Sequence, residues 1–273
     1  MPNPGGTPKA VDIYDTTLRD GAQLEGISFT VDDKLRIAEQ LDRLGVHYIE
    51  GGWPGANPKD VEFFERAKTE LNLKQSRLVA FGSTRRVNGE AKDDPTLANL
   101  VASGTQTVCI VGKSWDYHVT EALRTTLEEG VAMVADSIRY LKEQGLEVFF
   151  DAEHFFDGYR ANPTFALDVL QGAADAGADC LVICDTNGGT LPDEVERTVT
   201  EVVAKFSTPI GVHFHNDTGC AIANTMIGVK AGATQVQGTI NGYGERVGNC
   251  DLIPVIANLS LKQIGRASCR ERV

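Results

Sequence analysis

The sequence lacks the features that mark membrane-spanning, secreted and disulfide-rich proteins. It contains no apolar run of about 18 residues, so we expect no membrane span. The opening segment MPNPGGTPKA has no apolar stretch of a secretory signal, and we interpret residues 1–10 as a flexible lead. The 6 cysteines include no C-x-x-C pair and lie mostly in apolar runs such as CLVIC. This favours buried, reduced thiols in a cytoplasmic protein over disulfides or structural zinc.

Positive charge is scarce as well. The 26 Lys and Arg residues face 38 Asp and Glu residues, which gives a formal net charge of −12. Such a chain is a poor general binder of nucleic acid or of an anionic membrane, and we expect neither as a partner. A content of 42% hydrophobic and 23% charged residues is ordinary for a globular protein and excludes a disordered chain. No G-x-S-x-G motif occurs, which disfavours a serine hydrolase.

The last ten residues, IGRASCRERV, differ abruptly in composition from the acidic chain before them. One reading frame of a common sequencing adapter encodes the same ten residues. We therefore interpret residues 264–273 as a non-native tail rather than as a basic binding segment. On this interpretation the native protein continues beyond Gln263.

Short apolar, β-branched runs alternate with amphipathic stretches along residues 11–263. Strands are predicted near 11–14, 48–51, 76–81, 107–111, 147–151, 180–185, 210–215 and 235–239. Helices are predicted near 31–44, 58–71, 94–103, 120–143, 163–176, 192–205, 219–231 and 251–260. Eight such units favour a closed α/β barrel of the (β/α)8 or TIM type, with an open doubly wound sheet as the alternative.

Polar segments follow the predicted strands where a TIM barrel carries its active site. They are DTTLRDGAQ (15–23), DAEHFFDG (151–158), DTNGGT (185–190), HFHND (213–217) and NGYGERVGN (241–249). On a strand His213 and His215 face the same side, and two neutral imidazoles can bind a divalent metal. Asp20 can add a carboxylate, because only one strand separates the first from the seventh in a closed barrel. Asn249 can add an amide oxygen.

Three further residues are candidates for substrate chemistry. Arg19 can stabilise a developing oxyanion beside the metal. Glu153 can hold Arg19 or relay protons. Thr186 can bind a substrate carboxylate, or else serve as a turn or helix-capping residue. The NGYGERVGN loop lacks the G-x-G-x-x-G spacing of dinucleotide sites, so a tight turn that positions Asn249 is at least as good an interpretation as a phosphate site.

The motifs DTTLRDGAQ, HFHND and NGYGERVGN, in this order, resemble the metal-dependent TIM barrels of the 2-isopropylmalate synthase, homocitrate synthase and HMG-CoA lyase family. The W-P-G segment at 53–55 is similar to the citramalate synthase branch of that family. The resemblance implies metal ligands at Asp20, His213 and His215, with Asn249 as the fourth. It implies that Arg19 polarises a keto oxygen, that Glu153 lies beside Arg19 or the acetyl group, and that Thr186 holds the 2-oxoacid carboxylate.

The implied reaction condenses acetyl-CoA with pyruvate and then hydrolyses the thioester, a step in isoleucine biosynthesis. Mg²⁺ or Mn²⁺ is the implied cofactor, with Zn²⁺ or Co²⁺ as alternatives. The family also implies a homodimer. It implies a C-terminal regulatory region as well, and the sequence in hand does not include that region. A histidine after the barrel, which is the family's expected contribution to the base, is also lacking, and His154 is one conceivable substitute. The alternatives are another 2-oxoacid, a lyase that cleaves a carbon–carbon bond on the same metal enolate, or a truncated barrel that binds metal and oxoacid without turnover. Such lyases are expected to carry a cysteine in a glycine-rich loop near the last strand, and Cys250, directly after Asn249, does not obviously match that loop.

Overall fold

A closed barrel of eight parallel strands organises the molecule in the computed structural model, which describes residues 10–262. Each strand pairs with the next, and the last pairs with the first. The strands are β1 (Asp12–Asp15), β2 (Tyr48–Gly52), β3 (Arg77–Ser83), β4 (Thr107–Lys113), β5 (Glu147–Glu153), β6 (Cys180–Asp185), β7 (Ile210–Phe214) and β8 (Gln235–Gly238). The TIM-barrel prediction is therefore confirmed. The lead, apart from Ala10, and the tail lie outside the described residues.

Helices follow the strands and cover the outside of the barrel. They are α1 (Val31–Leu44), α2 (Pro58–Glu70), α3 (Pro95–Ala102), α4 (Leu127–Glu143), α5 (Phe155–Ala161), α6 (Pro163–Asp175), α7 (Pro192–Lys205), α8 (Ala221–Ala231) and α9 (Leu252–Lys262). Their starts are set by local chemistry. Thr30 and Asp33 form a reciprocal capping box at α1, and Asn57 and Asp94 accept backbone N–H groups at α2 and α3.

One predicted helix is wrong in its extent, and one short helix is missing from the prediction, each for a physical reason. The segment 120–143 is not one helix, because a π-helical turn at His118–Ala122 precedes α4 and Arg124 adopts a left-handed φ of 55°. Thr126 then caps α4 by accepting the backbone N–H of Glu129. The short helix α5 was not predicted, since its 7 residues are too few for a helical pattern to show.

Apolar side chains form two separate layers. The larger layer lies between the strands and the helices. The smaller layer fills the barrel interior and consists of Tyr14, Val79, Phe81, Cys109, Phe149, Cys180, Val182 and Cys184. The five cysteines in the described part of the chain are free thiols, as predicted, and four of them are buried. Between residues 10 and 262 no helix is long and apolar enough to cross a membrane.

Candidate active site and metal centre

Three predicted metal ligands meet at the carboxyl end of the barrel. His213 lies near the end of β7, and His215 follows two residues later. The centroids of the two imidazole rings are 5.3 Å apart. Asp20 lies in the turn after β1, where its backbone N–H bonds to the carbonyl of Thr16. One ligand atom from each of the three side chains lies within 4.8 Å of the others, and all three side chains are buried. A carboxylate and two imidazoles form a suitable donor set for a divalent cation.

Asn249 completes this cluster from the loop after β8. Its amide oxygen lies 3.1 Å from Nε2 of His213, and its amide nitrogen donates to the carbonyl of Tyr243. That second bond orients the oxygen toward the histidines. Gly248 has a φ of +97°, and a Cβ there would lie 2.0 Å from the carbonyl oxygen of Gly242. The glycine-rich loop is thus a tight turn that positions Asn249.

The residues at this point fit a metal ion. Nδ1 of His215 is buried and has no hydrogen-bond partner among the described residues. An orphaned buried nitrogen is costly unless something absent from the protein atoms satisfies it. On the other imidazole, Nδ1 of His213 meets the amide oxygen of Gln237 at 2.8 Å, which leaves Nε2 facing Asp20 at 3.3 Å. A cation between these groups would satisfy the cluster.

Electrostatics give the three groups different protonation states. Burial opposes ionisation of Asp20, yet the Arg19 guanidinium holds the pKa of this carboxyl well below its usual range. Burial alone would lower the pKa of His213, but the hydrogen bond and charge of Asp20 raise it to about 9. Burial and then the charge of His213 lower the pKa of His215 to about 4. Without a cation these shifts favour a protonated His213 beside an ionised Asp20, and a metal ion that binds Nε2 of His213 must displace its proton.

Arg19 is fixed beside the cluster by residues that the sequence analysis missed. Its Nε donates to Oε1 of Glu50 at 2.5 Å, and its guanidinium lies 3.8 Å from the centre of the Phe81 ring. The hydroxyl of Tyr14 donates to the other Glu50 oxygen at 2.5 Å. Although burial opposes it, the charge of Glu50 raises the pKa of Arg19, so the arginine stays charged. The signal for Glu50 was a lone charged residue inside the buried strand YIEGG.

Glu153 is not the partner of Arg19 in the structure. It forms an ion pair with Lys113 of the neighbouring strand β4. The reason is the strand order. Glu50 lies on β2, which pairs with β1, whereas Glu153 is the last residue of β5 on the far side of the barrel. Glu153 nevertheless lines the same cavity as Arg19. The other expected position of Glu153, beside the acetyl group, agrees with this location.

Thr186 lies at the edge of the cavity and is held by two neighbouring loops. Its hydroxyl oxygen accepts the backbone N–H of His154 at 2.9 Å, so the hydroxyl hydrogen is available to an acceptor in the cavity. Its carbonyl accepts from Arg246, which also makes two bonds to Asp217. Arg246 therefore ties the loops after β6, β7 and β8 together at the mouth.

The cavity over the metal cluster has a volume of about 290 Å³. Its lining includes every predicted site residue except Asn249, together with the apolar side chains of Trp53, Phe81 and Val111. A second cavity of about 580 Å³ adjoins it and shares Trp53, Val111 and Glu153. The second cavity is lined by Leu123 and Met133 as well as by cationic side chains. An elongated, partly apolar molecule could thus reach the metal cluster from one side of the mouth.

Cys250 does not take part in this site. Its thiol is fully buried and accepts the hydroxyl hydrogen of Thr225 on α8 at 3.1 Å. Burial raises its pKa to about 12, so it remains an inert thiol. The structure therefore agrees with the interpretation that Cys250 is not the loop cysteine expected of such a lyase.

The molecule is a TIM barrel whose mouth presents a candidate site for a divalent cation beside a fixed arginine. The family model described as HMGL-like matches residues 10–269. The chain belongs to this family, and the resemblance seen in its motifs is confirmed.

Curated relatives are much more similar to this chain in one branch than in another. The (R)-citramalate synthase of Streptomyces coelicolor is 58% identical over 92% of this chain and 47% of its own length. That of Aquifex aeolicus is 56% identical over 92% of this chain and 48% of its own. The 2-isopropylmalate synthase of Sulfolobus acidocaldarius is 37% identical over 94% of this chain and 63% of its own length. The chain spans about half the length of the citramalate synthases that it matches.

A solved structure supports the architecture. The HMG-CoA lyase of Bacillus subtilis superposes with a TM-score of 0.78 at 21% sequence identity. The superposition covers 94% of this chain and 87% of that one. At this identity the likeness shows the fold alone.

Proposed function

We propose that this chain carries the condensation site of a citramalate synthase. The reaction removes a proton from the methyl group of acetyl-CoA and joins that carbon to the keto carbon of pyruvate, whose oxygen becomes a hydroxyl. Water then cleaves the thioester to give citramalate and CoA. One observation carries the proposal: the cation-binding cluster and Arg19 open into a single cavity of about 290 Å³ in a chain of the citramalate synthase branch. The metabolic role proposed with this reaction is isoleucine biosynthesis.

The proposed cofactor is a divalent cation held by Asp20, His213 and His215, with the amide oxygen of Asn249 as a fourth ligand. Mg²⁺ or Mn²⁺ is the first choice, and Zn²⁺ or Co²⁺ suits the same donors. When bound, the cation supplies Lewis-acid polarisation of the substrate's keto group. Nδ1 of His215, which is buried and has no hydrogen-bond partner between residues 10 and 262, supports its assignment as a ligand.

Arg19 is assigned to the oxygen that gains charge during carbon–carbon bond formation. Glu50 uses its Nε, so the terminal N–H groups are available to the cavity that Arg19 lines. Because Glu50 and Phe81 already fix the guanidinium, little reorganisation is needed in the transition state. Thr186 is assigned to the carboxylate of the 2-oxoacid, since its hydroxyl hydrogen is free of the bond that its oxygen accepts.

Glu153 is assigned to the acetyl half of the reaction. It is the carboxylate that lines both the metal cavity and the adjoining larger cavity. Acetyl-CoA needs a long, partly apolar approach with cationic groups for its phosphates. The larger cavity supplies Leu123 and Met133 for the arm and Arg86 at an exposed edge. A carboxylate at the junction is suitably placed to move a proton to or from the acetyl methyl group. The homodimer and the cytoplasmic location stay predictions.

The experiment separates binding by this barrel from turnover, because the chain spans about half of its relatives. The protein is loaded with Mn²⁺, and pyruvate, 2-oxoisovalerate and 2-oxoglutarate are titrated while the Mn²⁺ electron paramagnetic resonance is followed. Thiol release from acetyl-CoA is measured in parallel, with and without EDTA. We expect pyruvate to change the Mn²⁺ spectrum at the lowest concentration, and EDTA to abolish any pyruvate-dependent release. Tighter binding of either larger oxoacid, or release unaffected by EDTA, would refute the proposal.

A further inference from the structure

The side chain of Gln237 connects His213 to the opposite wall of the barrel. Gln237 lies on β8 beside His213 of β7 in the strand register and is fully buried. Its amide oxygen meets Nδ1 of His213 at 2.8 Å, and its amide nitrogen donates to Oδ1 of Asp151 at 2.9 Å. Asp151 lies on β5, three strands from β8, so these hydrogen bonds cross the barrel interior from His213 to β5.

The direction of the amide determines which nitrogen of His213 carries hydrogen. An amide oxygen can only accept a hydrogen bond, so Nδ1 of His213 carries a hydrogen in this contact and keeps it when a metal displaces the hydrogen on Nε2. Asp151 holds the amide nitrogen on its own side and thereby prevents the amide from turning over. The remaining ring nitrogen, Nε2, lies toward Asp20 and Asn249. A neutral imidazole with hydrogen on Nδ1 presents the lone pair of Nε2 to a metal.

We infer that Gln237 is a positioning residue that holds His213 in the tautomer and ring orientation needed for metal binding, with Asp151 as its anchor. This inference rests on the metal site proposed above. It gives a role to a polar side chain whose burial in the barrel interior would otherwise cost free energy. Outer partners of metal-bound histidines fix the tautomer in this manner, and their loss typically costs about 10- to 100-fold in metal affinity.

The same strand provides a matched control. Gln235 lies two residues earlier on β8 and is also buried, yet its amide oxygen has no hydrogen-bond partner in the described part of the chain. It pairs in register with Gly211 and Asp12, one layer below His213. Loss of a buried glutamine amide from β8 can therefore be separated from loss of the contact to His213.

The test compares the Mn²⁺ affinity of the wild type with that of Gln237→Met, Gln237→Glu and Gln235→Met, together with the melting temperature of each. We expect Gln237→Met to bind Mn²⁺ about 10- to 100-fold more weakly. Gln237→Glu keeps an oxygen acceptor for the Nδ1 hydrogen but loses the N–H donor to Asp151, so its affinity should lie between those of the wild type and Gln237→Met. Gln235→Met should bind like the wild type. In the zinc-loaded protein, proton NMR should show a protected downfield imidazole resonance that Gln237→Met alone loses.

The outcomes separate the two levels of the argument. Wild-type affinity in Gln237→Met would overturn the positioning role while leaving the metal site intact. An equal loss in Gln237→Met and Gln235→Met, in step with their melting temperatures, would reduce Gln237 to a packing residue and also overturn the inference. A wild type that binds no Mn²⁺ would overturn the metal site and the inference together.

Discussion

Arg19 donates from its Nε to Glu50 across 2.5 Å, and this buried ion pair joins the turn after β1 to β2. The hydroxyl of Tyr14 holds the second oxygen of Glu50, and Phe81 lies against the guanidinium. The arginine is thus oriented by Glu50 and Phe81, which do not depend on a bound substrate. Its charge stands 3.5 Å from a carboxylate oxygen of Asp20, within reach of the proposed reacting oxygen.

The first prediction concerns Glu50→Gln. The amide keeps the shape of the side chain but leaves Arg19 without its compensating charge. We expect the free energy of unfolding to fall by about 3 kcal/mol and turnover to fall by at least about 10-fold. Urea titrations and steady-state kinetics measure the two effects. Glu90→Gln, which disturbs only the exposed pair with Lys92, is the control and should change neither quantity.

Arg19→Ala tests the role of the guanidinium itself. If the group stabilises charge only in the transition state, kcat should fall by about 100-fold or more while KM for pyruvate changes little. Arg19→Lys should recover a minor part of the rate, because an ammonium keeps the charge without the fixed contact to Glu50. A rise in KM with an unchanged kcat would make Arg19 a substrate anchor instead.

Asp15 should make stability fall as pH rises. Burial raises its pKa to about 7 although the Thr17 backbone and hydroxyl oppose the shift. The folded state therefore binds a proton that the unfolded state has lost, and stability falls between about pH 4 and pH 7. Relative to wild type, Asp15→Asn should gain about 3 kcal/mol of unfolding free energy between pH 5 and pH 8. Urea unfolding of both proteins at the two pH values measures this, and an unchanged difference would contradict it.

The loop that carries Asn249 should be intolerant of a side chain at Gly248. A Cβ there would lie 2.0 Å from a carbonyl oxygen, so Gly248→Ala must shift the loop and move Asn249. We expect a loss of at least about 10-fold in Mn²⁺ affinity. Gly145→Ala is the matched control, because that residue also has positive φ (+79°) but nothing lies within 4 Å of its Cβ. The control should lose about 1 kcal/mol of stability and no metal affinity.

The sequence predicts the barrel and the metal ligands because both depend on simple periodicity. His213 and His215 share a strand face by their spacing, and the closed strand order brings Asp20 to them. By contrast, the helix predicted at 120–143 is broken by a single left-handed residue, Arg124. Backbone conformation at one position leaves no mark on a pattern of apolar residues.

The polar network beneath the site was missed for a different reason. Glu50, Asp151 and Gln237 lie on strands that read as buried, and their partners are far away along the chain. Nothing local pairs Arg19 with Glu50 rather than with Glu153, since both carboxylates follow apolar strand residues. Only the closed register, which places β2 and not β5 beside β1, decides between them.

X-ray absorption of the metal-loaded chain tests the central claim most directly, because it counts imidazole ligands without any need for turnover. The protein is loaded with one equivalent of Zn²⁺ or Mn²⁺, and the fine structure is recorded for wild type and His215→Ala. The account predicts two imidazoles and otherwise oxygen ligands in the wild type, and one imidazole with weaker binding in the variant. A metal bound without imidazoles, or a spectrum that His215→Ala leaves unchanged, would contradict the account.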